Sequence, residues 1–329
     1  MLKPFDEKLS GFLFVVILPF LLFFMSYYGF ESSYVGLKSM EKPPDFMFTS
    51  VYAYRVIPNF LMVEVFHFFE FFVNNYLPST KDFLLKNGTL FYHSIFLINA
   101  VFFVLSSIIL NKILHFNTSL ASKYISRIFH LLAIFFIVIV QYVPTNCDSI
   151  AVFFYLWGVW FTFKYFENRK NIDFIFLCVI IIISTFVRET SCLNIAFFAA
   201  LFVDFKKIRN FIHLKEILIL IISFVLPYLS LKILIPQNVS FFEGVYLMKN
   251  LTSPFNIAGL LFGITGFYFV FWFAEPLQKT FLKKYLFFSL PYLVMIALVG
   301  LVWETRLFLP LILSGIVVVS HQFKNIHTA

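Results

Sequence analysis

The chain has 329 residues, 61% of them hydrophobic and 13% charged, with a mean hydropathy of +0.90. No water-soluble fold of this size hides that much apolar surface, so the composition points to an all-α, polytopic integral membrane protein. The net charge of +8 then belongs to basic cytoplasmic loops rather than to a nucleic-acid partner.

In chain order, a short polar N-terminus, Met1 to Lys8, leads into an apolar run over 11–29, read as a retained first span that also serves for export. Further runs at 89–110, 129–143, 150–166, 172–187, 190–204, 216–236, 256–274, 285–303 and 306–320 bring the count to about ten transmembrane helices in one transmembrane domain, 1–329. Between the first two runs lies a long loop, 30–88. Its segment 51–77 is apolar yet carries Arg55, Glu64, His67 and Glu70. It reads as an interfacial amphipathic helix or as an eleventh span. Helical spacing puts Glu64 and His67 on one face, and Pro58 suits the helix start.

The loop charges choose between those readings. With a cytoplasmic N-terminus and 51–77 lying along the outer interface, the inner connections hold 16 of the 25 basic residues, and every inner loop is basic. If 51–77 crossed, all downstream loops would invert and the rule would fail. The expected topology therefore has both termini cytoplasmic and 30–88 extracytoplasmic. The expected location is the inner (plasma) membrane of a bacterium.

Two charged tripeptides interrupt the apolar segments: Arg188-Glu189-Thr190 and Glu304-Thr305-Arg306. A charge at membrane depth costs about 2.5–3.5 kcal/mol on insertion scales, so a chain that keeps such groups uses them or pairs them. Neighbouring residues on a helix point apart, so the expected pairs join different helices: Arg188 with Glu304, or Arg306 with Glu189. Asp148, in the turn Pro144-Thr145-Asn146-Cys147-Asp148, is expected to cap the next span. All of these groups fall at the outer ends of spans, beside the long acidic loop with Glu31 and Asp45. The cysteines Cys147, Cys178 and Cys192 have no metal-ligand spacing, and no P-loop, dinucleotide-binding or zinc signature occurs. The Asn-x-Ser/Thr triplets at Asn87, Asn117, Asn238 and Asn250 are ascribed to chance.

Taken together, the elements ESSYVG, PPDF, YAYRVIPN, TNCDS, FVRETS and WETRLFLPL resemble those of the GT-C class of polytopic membrane glycosyltransferases. The motifs are short but spread over most of the chain. The resemblance implies an enzyme that transfers a sugar from a polyprenyl-phosphate-linked donor to an acceptor on the extracytoplasmic face. Arg55, Arg188 and Arg306 would hold the donor phosphate, and Asp45 or Glu31 would act as general base. Glu189, Glu304, Asp148, Glu64 and His67 would support them. The partners would be membrane lipid and the lipid-linked sugar. No metal ligand is assigned and no cofactor is required, although the class leaves room for a divalent ion, Mg or Mn. The soluble C-terminal domain that many members carry is not expected here. Two other functions fit the same residues: a transporter or flippase of a lipid-linked or anionic substrate, for which Pro227, Gly259, Gly263 and Gly266 would break helices, and a surface-polysaccharide polymerase or ligase.

Overall fold

The computed structural model describes residues 9–29, 36, 38–116, 123–140, 147–204, 213–235 and 245–321. Among the described residues every regular element is helical. Helix α1, Leu9–Gly29, contains a π-helical turn over Leu13–Ile17. Short 3-10 turns over Asp45–Phe48 and Ser50–Tyr54 lead into α2, Val56–Tyr76, followed by α3, Lys81–Lys86. Then come α4, Leu90–Leu114, α5, Lys123–Val140, α6, Asp148–Asn168, α7, Asn171–Thr185, and α8, Cys192–Phe202. The last six are α9, Leu214–Leu234, α10, Leu247–Thr252, α11, Pro254–Phe273, α12, Pro276–Phe288, α13, Leu290–Val299, and α14, Leu309–Ser320.

Local chemistry sets many of these limits. The Thr89 hydroxyl accepts from the Tyr92 amide and caps α4. Glu275 and Gln278 form a reciprocal capping box on α12. Prolines 254, 276, 291 and 310 occupy first-turn positions, where a missing N–H leaves no bond unmade. Arg169, in the left-handed region at φ 51°, closes α6 and turns the chain into α7.

Side-chain contacts fix the directions of the helices. Tyr27 and Tyr92 each donate to the other's carbonyl, at 2.8 and 2.6 Å, while Ser107 donates to the Val15 carbonyl at 2.6 Å. Helices α1 and α4 are therefore antiparallel. Phe102 packs on Phe153 and Phe116 on Trp160, so α4 and α6 run in the same direction with α5 between them in sequence. At the far end of α6, Lys164 pairs with Asp173 at 3.3 Å, Arg169 reaches His213, and Lys284 donates to the Val203 carbonyl. The opposite end gathers the starts of α4 and α6, the end of α7 and the start of α14.

Helix α2 lies against that second end. The Ile57 amide donates to the Phe186 carbonyl at the end of α7. About 14 and 18 Å further along the helix, Phe66 and Phe69 meet Phe91 and His93 at the start of α4. The start and the middle of α2 thus touch the same end of the bundle.

Among the described residues six helices are long and apolar enough to cross a membrane: α1, α2, α4, α6, α9 and α11. The pair α12 and α13, bent by 50°, makes a seventh if counted as one span. The expected spans overlap helices, except that 285–303 straddles the break between α12 and α13. However, α5, α7, α8 and α14 belong to apolar stretches of 10–17 residues, so the expected count of ten does not follow from length.

The glycines of α11 serve packing. The helix runs unbroken from Pro254 to Phe273, and α9 continues through Pro227. The expected helix breaks are therefore absent. A Cβ on Gly263 would lie 2.6 Å from Phe308 Cγ, and one on Gly266 would lie 2.9 Å from Ile312 Cδ1. These small residues let α11 close on α14 and on the turn before it. Gly263→Ala is expected to cost about 1–3 kcal/mol through overpacking, read as a lower Tm of the detergent-solubilised protein. An unchanged Tm would show that Phe308 yields freely.

Candidate functional site

Four chain segments meet at the end of the bundle covered by α2. The first is Tyr52 to Arg55, ahead of α2. Asn59 holds it by donating to the Met47 and Tyr52 carbonyls at 2.8 and 3.0 Å. The second is the start of α6, at Cys147 and Asp148. The third is the break between α7 and α8. There Arg188 is extended (φ −166°, ψ 152°), its amide donates to the Ser184 carbonyl at 2.9 Å, and a 3-10 turn over Glu189–Ser191 follows. The fourth is the link from α13 to α14, where a 3-10 turn over Thr305–Leu307 is anchored by Tyr292 Oη donating to the Leu307 carbonyl at 2.9 Å.

Asp148 is the centre. Arg188 Nη1 donates to its Oδ1 at 2.5 Å, and Arg306 Nη1 donates to its Oδ2 at 2.9 Å. The carboxylate is 1% exposed and the Arg188 side chain 8%. Arg306 also donates from Nη2 and Nε to Glu304 Oε2, at 2.9 and 3.2 Å. A carboxylate taken out of water is stabilised only by close opposite charge and good geometry, and two guanidinium groups supply both.

Arg55 is in a different position. Its residue is 9% exposed. Nη1 donates to Cys147 Sγ at 3.2 Å, the guanidinium lies 4.5 Å over the Tyr52 ring, and the buried Nε has no hydrogen-bond partner. Among the described residues no carboxylate pairs with it. Cys147 Sγ is 4.0 Å from Asp148 Oδ1, so Arg55 adjoins the Asp148 group. Among the described residues the site is two guanidinium groups sharing one carboxylate, with Arg55 beside them and in no ion pair.

Of the residues expected from sequence, Arg55, Arg188, Arg306, Asp148, Glu189 and Glu304 come together here. The expected pairing is corrected. Arg188 meets Asp148 rather than Glu304, and Glu304 serves Arg306 two residues away. The reason is local: neither tripeptide is α-helical, so the 100° rule for helix neighbours does not apply. Asp148 does not hold the N-cap, which falls on Cys147. Its side chain faces the arginines. Glu189 is half-buried and forms no ion pair among the described residues. Asp45 is exposed on its 3-10 turn, and Glu64 and His67 are exposed on α2, with no ion pair to the arginines. Glu31 lies outside the described residues. Among the described residues no group of three His, Cys, Asp or Glu side chains is placed to hold a metal ion, so no step is assigned to one.

The sequence reading passed over several neighbours. Tyr52 lies under Arg55, and Lys232, near the end of α9, lies 3.8 Å over the Tyr54 ring. The signal for Lys232 was a lysine in the last turn of a helix whose other charges, Lys215 and Glu216, lie in its first turn. Tyr292 carried no sequence signal at all.

Removing the shared carboxylate leaves Arg188 buried without its partner. Asp148→Ala should therefore lower stability by about 3–5 kcal/mol, measured as a lower Tm or as loss of folded protein. Asp148→Ala combined with Arg188→Met should recover much of it, and wild-type stability in the single variant would refute the pairing. The chain matches no protein-family model, no curated protein and no solved structure.

Proposed function

We propose that the protein is a membrane glycosyltransferase that takes a sugar from a lipid-phosphate-linked donor and transfers it to an acceptor on the outer face. The observation that carries this reading is Arg55: a buried guanidinium that pairs with no carboxylate among the described residues, beside Arg188 and Arg306. A buried charge without a counter-ion is disfavoured by several kcal/mol. The planar forks of three arginines match the oxygens of a phosphate. The bound anion would complete the site.

The membrane reading follows from the helices. The end bearing Arg55, Asp148, Arg188 and Arg306 faces outward, and the end bearing Lys164, Arg169, Lys284, the start of α1 and the end of α14 faces the cytoplasm, as the basic inner loops require. Helix α2 lies along the outer interface, and the shorter apolar helices complete about ten crossings. With 15 and 11 residues, α7 and α8 are about 22 and 16 Å long, less than the roughly 30 Å apolar core. The break that carries Arg188 therefore sits below the outer surface, within reach of a lipid's phosphate. Irregular backbone is tolerated at such depth where protein encloses it.

In the reaction the acceptor oxygen bonds to the anomeric carbon and the carbon–oxygen bond to the phosphate breaks. The lipid phosphate leaves with the electron pair, and the three arginines stabilise its growing charge. The acceptor proton passes to a carboxylate. Glu189, next to Arg188 and without an ion pair among the described residues, is the base assigned here. Asp45 on its exposed turn is its competitor, with Glu31. A polymerase or ligase would use the same site and differ in its acceptor. For transport, the hydroxyls in the middle of the bundle would have to be available. Those of Tyr155, Tyr285 and Ser314 are buried and bonded in one group.

The test uses purified protein in lipid nanodiscs with decaprenyl phosphate, and decaprenol as the uncharged control. Arg55→Ala should weaken decaprenyl phosphate binding by about tenfold or more, with no fall in Tm, because Arg55 pairs with no carboxylate among the described residues. A fall in Tm with unchanged affinity would make Arg55 structural and remove the phosphate site. Glu189→Gln should abolish transfer to acceptor while donor binding persists. Full transfer by that variant, with loss in Asp45→Asn, would move the base to Asp45.

A further inference from the structure

Arg306 sits on a link with little regular structure, yet its partner Asp148 is fixed at a helix start. The link runs from Gly300 to Phe308 and includes only the 3-10 turn Thr305–Leu307. Two buried asparagines from outside the site hold it. Asn250, on α10, is 4% exposed. Its Nδ2 donates to the Ala297 carbonyl at 3.0 Å and to the Gly300 carbonyl at 2.8 Å, and its Oδ1 accepts from the Val302 amide at 3.3 Å. Asn256, in the first turn of α11, is 1% exposed. Its Nδ2 donates to the Lys249 carbonyl at 3.0 Å and its Oδ1 accepts from the Trp303 amide at 3.2 Å.

Both amides therefore use a donor and an acceptor on backbone. An amide side chain satisfies the free carbonyls at the end of α13 and the free amides of the link together. One turn further along α11, Gly259 leaves room for the same strand. A Cβ there would meet the Val302 carbonyl and lie 2.5 Å from Trp303 Cα. The obstacle is backbone, which cannot swing aside as a side chain can.

We infer that Asn250, Asn256 and Gly259 form a latch that sets Arg306 against Asp148, and that they are positioning residues for the phosphate site. This rests on the phosphate reading above. Among the described residues the asparagine side chains bond backbone groups and not the arginines. They act three to nine residues upstream of Arg306 by fixing the backbone that carries it. The latch also accounts for Asn250 in the triplet Asn-Leu-Thr: its amide is spent on backbone and is buried.

The experiment is a set of double-mutant cycles on decaprenyl phosphate binding in nanodiscs, with Tm read on every variant. Asn250→Ala should weaken binding about tenfold while the protein stays folded. Because it acts through Arg306, Asn250→Ala with Arg306→Ala should bind no more weakly than Arg306→Ala alone. With Arg55→Ala the losses should add. If Asn250→Ala does not fold, Asn256→Ala and Gly259→Ala carry the same cycle. Wild-type affinity in the asparagine variants, or losses that add fully to that of Arg306→Ala, would overturn the latch while leaving the phosphate site standing. Wild-type affinity in both Arg55→Ala and Arg306→Ala would instead overturn the phosphate site, and the latch's role with it.

Discussion

The fold depends on the carboxylate of Asp148. It lies at the start of the buried helix α6 and accepts one guanidinium from the α7–α8 break and another from the α13–α14 link. Those two segments are distant in sequence, and neither is an α-helix where it matters. Without a shared anion, two arginines drawn to one end of an apolar bundle would repel each other in a medium that screens charge poorly. With it, each irregular segment has a defined place, and the helices on either side can pack.

Much of the remaining structure serves that arrangement. The backbone bonds of Arg188 and Val187 to the Ser184 carbonyl satisfy the polar groups that the α7–α8 break would otherwise leave free. On the other side, Tyr292, Asn250 and Asn256 do the same for the link that carries Arg306. The glycines of α11 let it approach closely enough for these bonds to form. Arg55 adds a third guanidinium from the segment before α2, resting on Tyr52 and Cys147 rather than on a carboxylate. A pair of charges buried for stability alone would gain nothing from that third cation. A site awaiting an anion would.

The sequence made the outline legible because apolar run length and loop charge are long-range averages, little affected by local detail. The runs at 89–110, 150–166 and 256–274 correspond to α4, α6 and α11 within a few residues. The gathering of Arg55, Asp148, Arg188 and Arg306 at one end follows from the same counting. What failed was local. The partners of Arg188 and Arg306 were sought by helical periodicity, and both tripeptides lie where the helix stops. Asp148 was read as a cap because a turn followed by Asp is the usual sign of one, and burial beside two arginines leaves no trace in a single sequence. Gly259, Gly263 and Gly266 were read, for a transporter, as helix breaks. They are points of contact, a distinction that needs the neighbouring helix to be seen. Asn250 and Asn256 looked incidental because an asparagine that bonds backbone looks like any other in the sequence.

The most direct test of this account is a cryo-EM structure of the protein in nanodiscs with decaprenyl phosphate bound. The account requires phosphate density at the end of the bundle under α2, with its oxygens about 3 Å from the Arg55 guanidinium and within reach of Arg188 or Arg306, while Asp148 keeps its two arginines. Phosphate density elsewhere, with Arg55 still lacking an anion, would contradict it.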